Sequence, residues 1–204
     1  MLPLESLLAL AMFAFVASIT PGPNNLMLLA SGVNFGLRRT MPHMLGVNAG
    51  IVVMVLLVSI GFGHLFARFP WLHVTLKIAG VVYMLWLAWK LARGAGIGET
   101  ARPKQPMSFL SAAAFQWVNP KAWAMLVSAV SAYLITDNVL GSAAVIALVF
   151  GVVSFPSLSC WALFGLGLRR YLSDPRTIRW FNLAMAALLV ASLWPAIAEL
   201  AALA

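Results

Sequence analysis

The chain has 204 residues, of which 63% are hydrophobic and 9% charged, with a mean hydropathy of +0.97. A soluble domain carries about 25% charged residues, so a soluble fold is excluded and the class is an all-α, polytopic integral membrane protein. The net charge of +8 does not point to nucleic acid, because the bases are gathered in a few segments between long apolar runs.

A spanning helix needs about 20 mostly apolar residues. Six such runs are predicted, at about 4–29, 44–66, 70–92, 109–134, 139–166 and 176–202. They lack the ten-residue alternating segments of a β-barrel. The first run follows Met1-Leu2-Pro3-Leu4-Glu5, without the positive start of a signal sequence, and is expected to be retained. It is interrupted by Thr20-Pro21-Gly22-Pro23-Asn24-Asn25. Gly32 and Gly36 at its end, and Gly46 and Gly50 in the second run, are small-xxx-small pairs expected to pack helices closely. The third run holds Lys77. The fourth, with Pro106 expected in its first turn, is interrupted by Gln116-Trp117-Val118-Asn119-Pro120-Lys121. The fifth holds Pro156, expected to kink it, and Cys160. The sixth is expected to start at Pro175 under an Asp174 or Ser173 cap.

Arg38 and Arg39 fall between runs one and two. Lys90, Arg93, Arg102 and Lys104 fall between three and four, and Arg169, Arg170, Arg176 and Arg179 between five and six. Those ten bases share one side, against Arg68, Glu5, Asp137 and Glu199 on the other. The positive-inside rule therefore predicts cytoplasmic basic loops and periplasmic termini. Trp71, Trp86, Trp89, Trp180 and Trp194 lie toward run ends, as interfacial anchors do.

The chain reads as one membrane domain: a first three-helix half (1–92), a glycine-bearing cytoplasmic linker (93–105, with Gly94, Gly96 and Gly98) and a second half (106–204). Each half opens with a helix broken by Pro and Asn. Each ends with a polar residue twelve positions before a tryptophan: Lys77 and Trp89, then Asn182 and Trp194. Three spans per half make the second half inverted, and inverted repeats with broken helices are a recurring transporter design.

Proline removes a helix hydrogen bond and frees a carbonyl. In a membrane such backbone is tolerated only inside protein or along a wet cavity. Pro21, Gly22, Pro23, Asn24 and Asn25, together with Gln116, Asn119, Pro120 and Lys121, are therefore candidate substrate-binding residues. A lysine near the middle of a span costs about 2.5–3.5 kcal/mol on insertion scales. Lys121 either meets a substrate carboxylate or gates the path, or it caps carbonyls freed by Pro120. Lys77 either binds substrate or snorkels outward. Asn24, Asn25, Asn48 and Asn119 supply donors and acceptors at depth, for a ligand or for the broken backbone. Half-helix N-termini suit a carboxylate and C-terminal carbonyls an ammonium, so a broken helix offers both poles a zwitterion needs.

No Asp or Glu lies mid-span, which leaves no evident proton relay. His43, His64 and His73 lack metal-ligand spacing, and no cofactor is expected. There is no GxxxxGK[ST] loop for ATP, and no HExxH, GxSxG or paired carboxylates, so the chain is not expected to be an enzyme.

Phe15-x4-Thr20-Pro21-Gly22-Pro23-Asn24-Asn25 with Gly32 and Gly36 resembles the N-terminal signature of the lysine exporter (LysE/RhtB) family. So do Lys77-Ile78-Ala79-Gly80-x2-Tyr83-x3-Leu87-x2-Lys90 and Phe109-x6-Gln116-x2-Asn119-Pro120-Lys121-Ala122. Val82-Tyr83-x2-Trp86-Leu87-Ala88-Trp89-Lys90 and Ser159-Cys160-Trp161-Ala162 look most like its cysteine/O-acetylserine exporter branch. The resemblance implies a secondary carrier that exports an amino acid or close derivative across the bacterial inner membrane. It also implies proton antiport, which no residue here supports, and permits a homodimer. The expected function is alternating-access export of a small amino acid such as cysteine, O-acetylserine, homoserine or threonine. A channel-like facilitator of a small polar solute and a non-transporting membrane scaffold are the alternatives.

Overall fold

A computed structural model describes residues 2–62, 68–93, 105–172 and 174–201. Every regular element among them is helical. They are α1 (Leu4–Ile19), α2 (Pro23–Phe35), α3 (Leu37–Leu57, continued by a π-helical turn Val58–Phe62), α4 (Pro70–Ala92), α5 (Phe109–Phe115, extended by a 3-10 turn Gln116–Val118), α6 (Pro120–Tyr133), α7 (Val139–Leu168), α8 (Pro175–Ala191) and α9 (Trp194–Ala201).

Local chemistry sets the starts. Proline occupies the first turn of α2, α4, α6 and α8, where its missing amide costs nothing. Side-chain oxygens of Ser108, Asn119, Asn138 and Asp174 accept from the amides of Ser111, Lys121, Gly141 and Thr177, capping α5, α6, α7 and α8. The Asp174 cap is the expected one.

Among the described residues, two helical stretches, Leu37–Gly61 and Val139–Leu168, are long and apolar enough to cross a membrane on their own. The α1–α2 pair, bent by 57°, makes a third if taken as one broken span. The expected boundaries of runs three, four and five nearly coincide with α4, α5–α6 and α7.

Four expectations are corrected. Arg38 and Arg39 lie in no loop: α3 begins at Leu37, and one residue, Gly36, separates it from α2. Gly36 has φ 76°, a left-handed conformation that glycine adopts without penalty. A methyl on it would meet only side-chain ends at 3.8 Å or more, so Gly36 serves the turn rather than helix packing. Pro106 precedes the helix instead of opening it, because Ser108 caps at Phe109. The sixth run is two helices, interrupted at Ser192 and Leu193, where the Ser192 hydroxyl bonds the Leu189 carbonyl at 2.7 Å. As expected, Pro156 lies inside the long α7. The Gly94–Gly98 linker, Arg102, Lys104, His64 and Ser173 lie outside the described residues.

The larger core gathers Leu10, Leu28, Met44, Met54, Leu126 and Phe150 from α1, α2, α3, α6 and α7. A second one, with Leu26, Met84, Phe115 and Leu193, joins α4 and the α8–α9 region to α2 and α5. Where α2 crosses α7, Gly32 abuts the Ala162 carbonyl and Gly165 abuts the Leu29 carbonyl. A side chain at either would collide with backbone. Gly46 and Gly50 set α3 against α5 in the same way, as their spacing predicts. Trp71, Trp86, Trp89, Trp180 and Trp194 are all exposed.

Candidate functional site

The first break is a bonding problem with a complete solution. The Thr20 amide makes the last ordinary bond of α1, to the Val16 carbonyl at 3.1 Å. Pro21 and Pro23 have no amide to offer the carbonyls of Ala17 and Ile19, and the chain is extended at Gly22. Five carbonyls, from Ala17 to Pro21, are thereby freed, and side chains satisfy all of them. The Thr20 hydroxyl donates to Ala17 at 3.1 Å. Asn25 donates to Ser18 at 2.8 Å and to Thr20 at 2.7 Å. The Trp161 indole donates to Ile19 at 3.0 Å from α7. Lys121 Nζ donates to the Thr20 carbonyl at 2.6 Å, the Thr20 hydroxyl at 2.8 Å and the Pro21 carbonyl at 3.2 Å.

The second break closes locally. The Asn119 amide bonds the Gln116 carbonyl at 3.2 Å, its side chain caps Lys121, and its carbonyl accepts from Trp123 at 3.3 Å. The Trp123 indole takes the Trp117 carbonyl at 2.8 Å. Gly80 of α4 lies against the Val118 carbonyl. Lys121 therefore does not cap carbonyls freed by Pro120, the structural alternative read from the sequence. It caps the other break.

A second tie runs the opposite way. Asn24 Nδ2 donates to Gln116 Oε1 at 2.8 Å, and Gln116 Nε2 returns a bond to Asn24 Oδ1 at 3.2 Å. Gln116 is fully buried and also donates to the Ala112 carbonyl. Absent side chains make room for both ties. A methyl on Gly22 would sit 2.7 Å from Lys121 Cδ, and one on Gly50 would sit 2.7 Å from Gln116 Cγ.

Between the breaks is a cavity of about 30 Å³, room for about two waters. Its polar wall is Ser18, Asn24, Asn25, Asn119, Lys121 and Ser154, and the Ser18 and Ser154 hydroxyls bond each other at 2.8 Å. Ile51, Met125 and Leu158 form the apolar wall. No Asp or Glu lines it, and among the described residues no His/Cys/Asp/Glu group is arranged to hold a metal.

Of the sequence candidates, Gly22, Asn24, Asn25, Asn119 and Lys121 line this cavity. Pro21 and Gln116 join through hydrogen bonds. Pro23 and Pro120 start the half-helices. Asn48 and Lys77 are not on the lining. Asn48 Nδ2 ties α3 to the Gly151 carbonyl of α7 at 3.2 Å, and Lys77 is half-buried on α4. Sequence reasoning missed Ser18, Ser154 and Trp161. Ser18, next to the break, carried a local signal; Ser154 and Trp161, 136 and 142 residues from their partners, carried none.

Residues 15–192 match the LysE type translocator family. The chain is 33% identical over 161 residues to the cysteine/O-acetylserine efflux protein of Salmonella typhimurium (strain LT2), covering 75% of this chain and 78% of that one. It is 31% identical over 186 residues to the cysteine/O-acetylserine efflux protein of Escherichia coli (strain K12), covering 87% and 90%. No solved structure matches it. With the family match over nearly the whole chain and relatives at this level of identity, the chain belongs to the LysE type translocator family.

Proposed function

We propose that this chain exports a small zwitterionic amino acid, or a close derivative, across the bacterial inner membrane as an alternating-access secondary carrier. The observation that carries the reading is the double tie between the breaks, Lys121 to Thr20 and Pro21, and Asn24 to Gln116, around a small polar cavity. It brings helix C-terminal carbonyls and an ammonium group together, the two poles that recognise a zwitterion. The apolar wall of Ile51, Met125 and Leu158 suits a short side chain. The efflux proteins to which the chain is similar are named for cysteine and O-acetylserine, which are of that size and charge type.

The same reading takes the six runs as spans in two inverted three-helix halves. Packing supports it: α1 lies on α7 and α5 on α3, each the first piece of one half against the second helix of the other. α3 packs on α7, and α4 on α8, as pairs related by a two-fold axis do. Arg38 and Arg39, Arg93, and Arg169 and Arg170 fall at helix ends that such a topology puts on one side, the cytoplasm, with the termini periplasmic. Breaks tied across the midplane argue against an open channel.

Counterflow in proteoliposomes tests the proposal, with cysteine, O-acetylserine, homoserine, threonine, leucine and lysine as the panel. Saturable counterflow is expected with one or more of the small polar members. None with any member overturns it.

A further inference from the structure

The ammonium group of Lys121 has three N–H bonds and three acceptors: the Thr20 carbonyl, the Thr20 hydroxyl and the Pro21 carbonyl. These stand at the C-terminal, negative end of α1, beside Ser18 and Gly22 of the cavity lining. A primary ammonium already sits where a cargo ammonium would be held best, and a second one beside it would meet a like charge.

We propose that Lys121 occupies, in this closed form, the subsite for the primary ammonium of the cargo, and that a zwitterion enters by exchange of partners. The cargo ammonium takes the Thr20 and Pro21 acceptors, and its carboxylate takes the ammonium of the displaced Lys121. The inference rests on the amino-acid reading above and adds a mechanism of closure: the lysine is an internal stand-in for half of the substrate.

Three features carry it. No charge is stranded at either end of the exchange, because each ammonium that leaves its partners finds another counter-group and Lys121 is itself half-buried. The acceptor cluster survives the lysine's departure, because Asn25 holds the Thr20 carbonyl independently at 2.7 Å and the Ser18 carbonyl at 2.8 Å. The lysine stem runs in the gap left by Gly22, with its head bordering the cavity, so it has a lane in which to swing. A ligand with one charge fails either way. An amine alone leaves Lys121 displaced beside a like charge. A carboxylate alone draws the lysine off and leaves the Pro21 carbonyl bare.

The test is ligand binding to the purified full chain, using serine or O-acetylserine, ethanolamine (the amine without carboxylate) and N-acetylserine (the carboxylate without amine). The parent chain is expected to bind the zwitterion and to bind each single-charge analogue at least roughly tenfold more weakly. In Lys121→Ala the acceptors are vacated, so ethanolamine should gain roughly tenfold over its affinity for the parent, while the zwitterion loses affinity. Should Lys121→Ala not be recovered folded, Gly22→Ala carries the same test. Its added methyl would lie 2.7 Å from Lys121 Cδ and 3.1 Å from Nζ, crowding the lysine off the acceptors, and ethanolamine should again gain. Zwitterion binding by the parent with no amine gain in the variant overturns the exchange and leaves the amino-acid reading standing. Amine gain in the variant with no amino acid bound by the parent supports the shared subsite and overturns the amino-acid reading. Equal binding of amine and zwitterion by the parent overturns the exchange.

Discussion

Asn24 and Lys121 hold the same position in the two broken segments. Each directly follows the proline that opens a half-helix, and each reaches across to the residues just before the opposite break. Asn24 meets Gln116, four residues before Pro120; Lys121 meets Thr20, three residues before Pro23. The crossed arrangement makes one site of two interruptions about a hundred residues apart, and it ties cavity closure to a handful of hydrogen bonds.

Replacing Lys121 with Met removes three donors and keeps most of the stem. Transport in proteoliposomes should fall to background, while the protein still inserts. Thr20 keeps Asn25 at its carbonyl and Ala17 at its hydroxyl, so the cost is mainly the lost bond to the exposed Pro21 carbonyl, about 0.5–1.5 kcal/mol. The melting temperature should fall by about 2–4 °C for each kcal/mol. Export at the parent rate would remove Lys121 from the site.

Asn24→Ala and Gln116→Ala should not be additive. The reciprocal amide pair predicts a coupling of about 0.5–3 kcal/mol in a double-mutant cycle read by thermal unfolding in detergent. Additivity within about 0.5 kcal/mol would mean that the two residues do not clasp.

Trp161→Phe keeps a ring in place and deletes one donor. The Ile19 carbonyl is then bare in a part-buried setting, at a cost of about 1–3 kcal/mol. Trp180→Phe, at a side chain 72% exposed, is the control and should leave the melting temperature unchanged. Equal effects from the two would remove the special role given to Trp161.

Gly32→Ala and Gly165→Ala place a methyl against backbone carbonyls at the α2–α7 crossing. Each should destabilise by about 1–3 kcal/mol. Gly167→Ala, two residues along α7, meets nothing within 4 Å and should be neutral or gain about 0.5–1 kcal/mol from helix propensity. Melting temperatures of the three variants check the contrast.

What could be read from the sequence was local chemistry. The proline–asparagine breaks, the Asp174 cap and the Gly46–Gly50 packing face each rest on residues close together in the chain. Hydropathy located runs three to five well because there the apolar stretch and the helix end together. It misplaced the start of α3, whose first turns carry Arg38, Arg39, Thr40 and His43: the helix outruns its apolar part. It also missed the interruption at Ser192, since a turn between two apolar helices leaves hydropathy unchanged. In the site, the sequence identified Lys121 as a group in need of partners and offered it a substrate carboxylate, a gating role or the nearest freed carbonyls. Which carbonyls it meets is decided by packing between distant segments, as are the Ser18–Ser154 and Trp161–Ile19 contacts.

The two interruptions differ in self-sufficiency. The second meets its Gln116 and Trp117 carbonyls with Asn119 and Trp123 of its own segment, whereas the first borrows Trp161 and Lys121 from the other half of the chain. Any movement that parts α1 from α6 and α7 strips Ile19 and Pro21 of their donors, while the second interruption travels intact. In the proposed export cycle, α6 and α7 would then act as the frame and the end of α1 as the moving part. A gate hinged on the first interruption opens at a higher cost when empty than one hinged on the second. Under the proposed alternating-access reading, such inequality biases an unloaded carrier against cycling and favours return journeys made with cargo aboard.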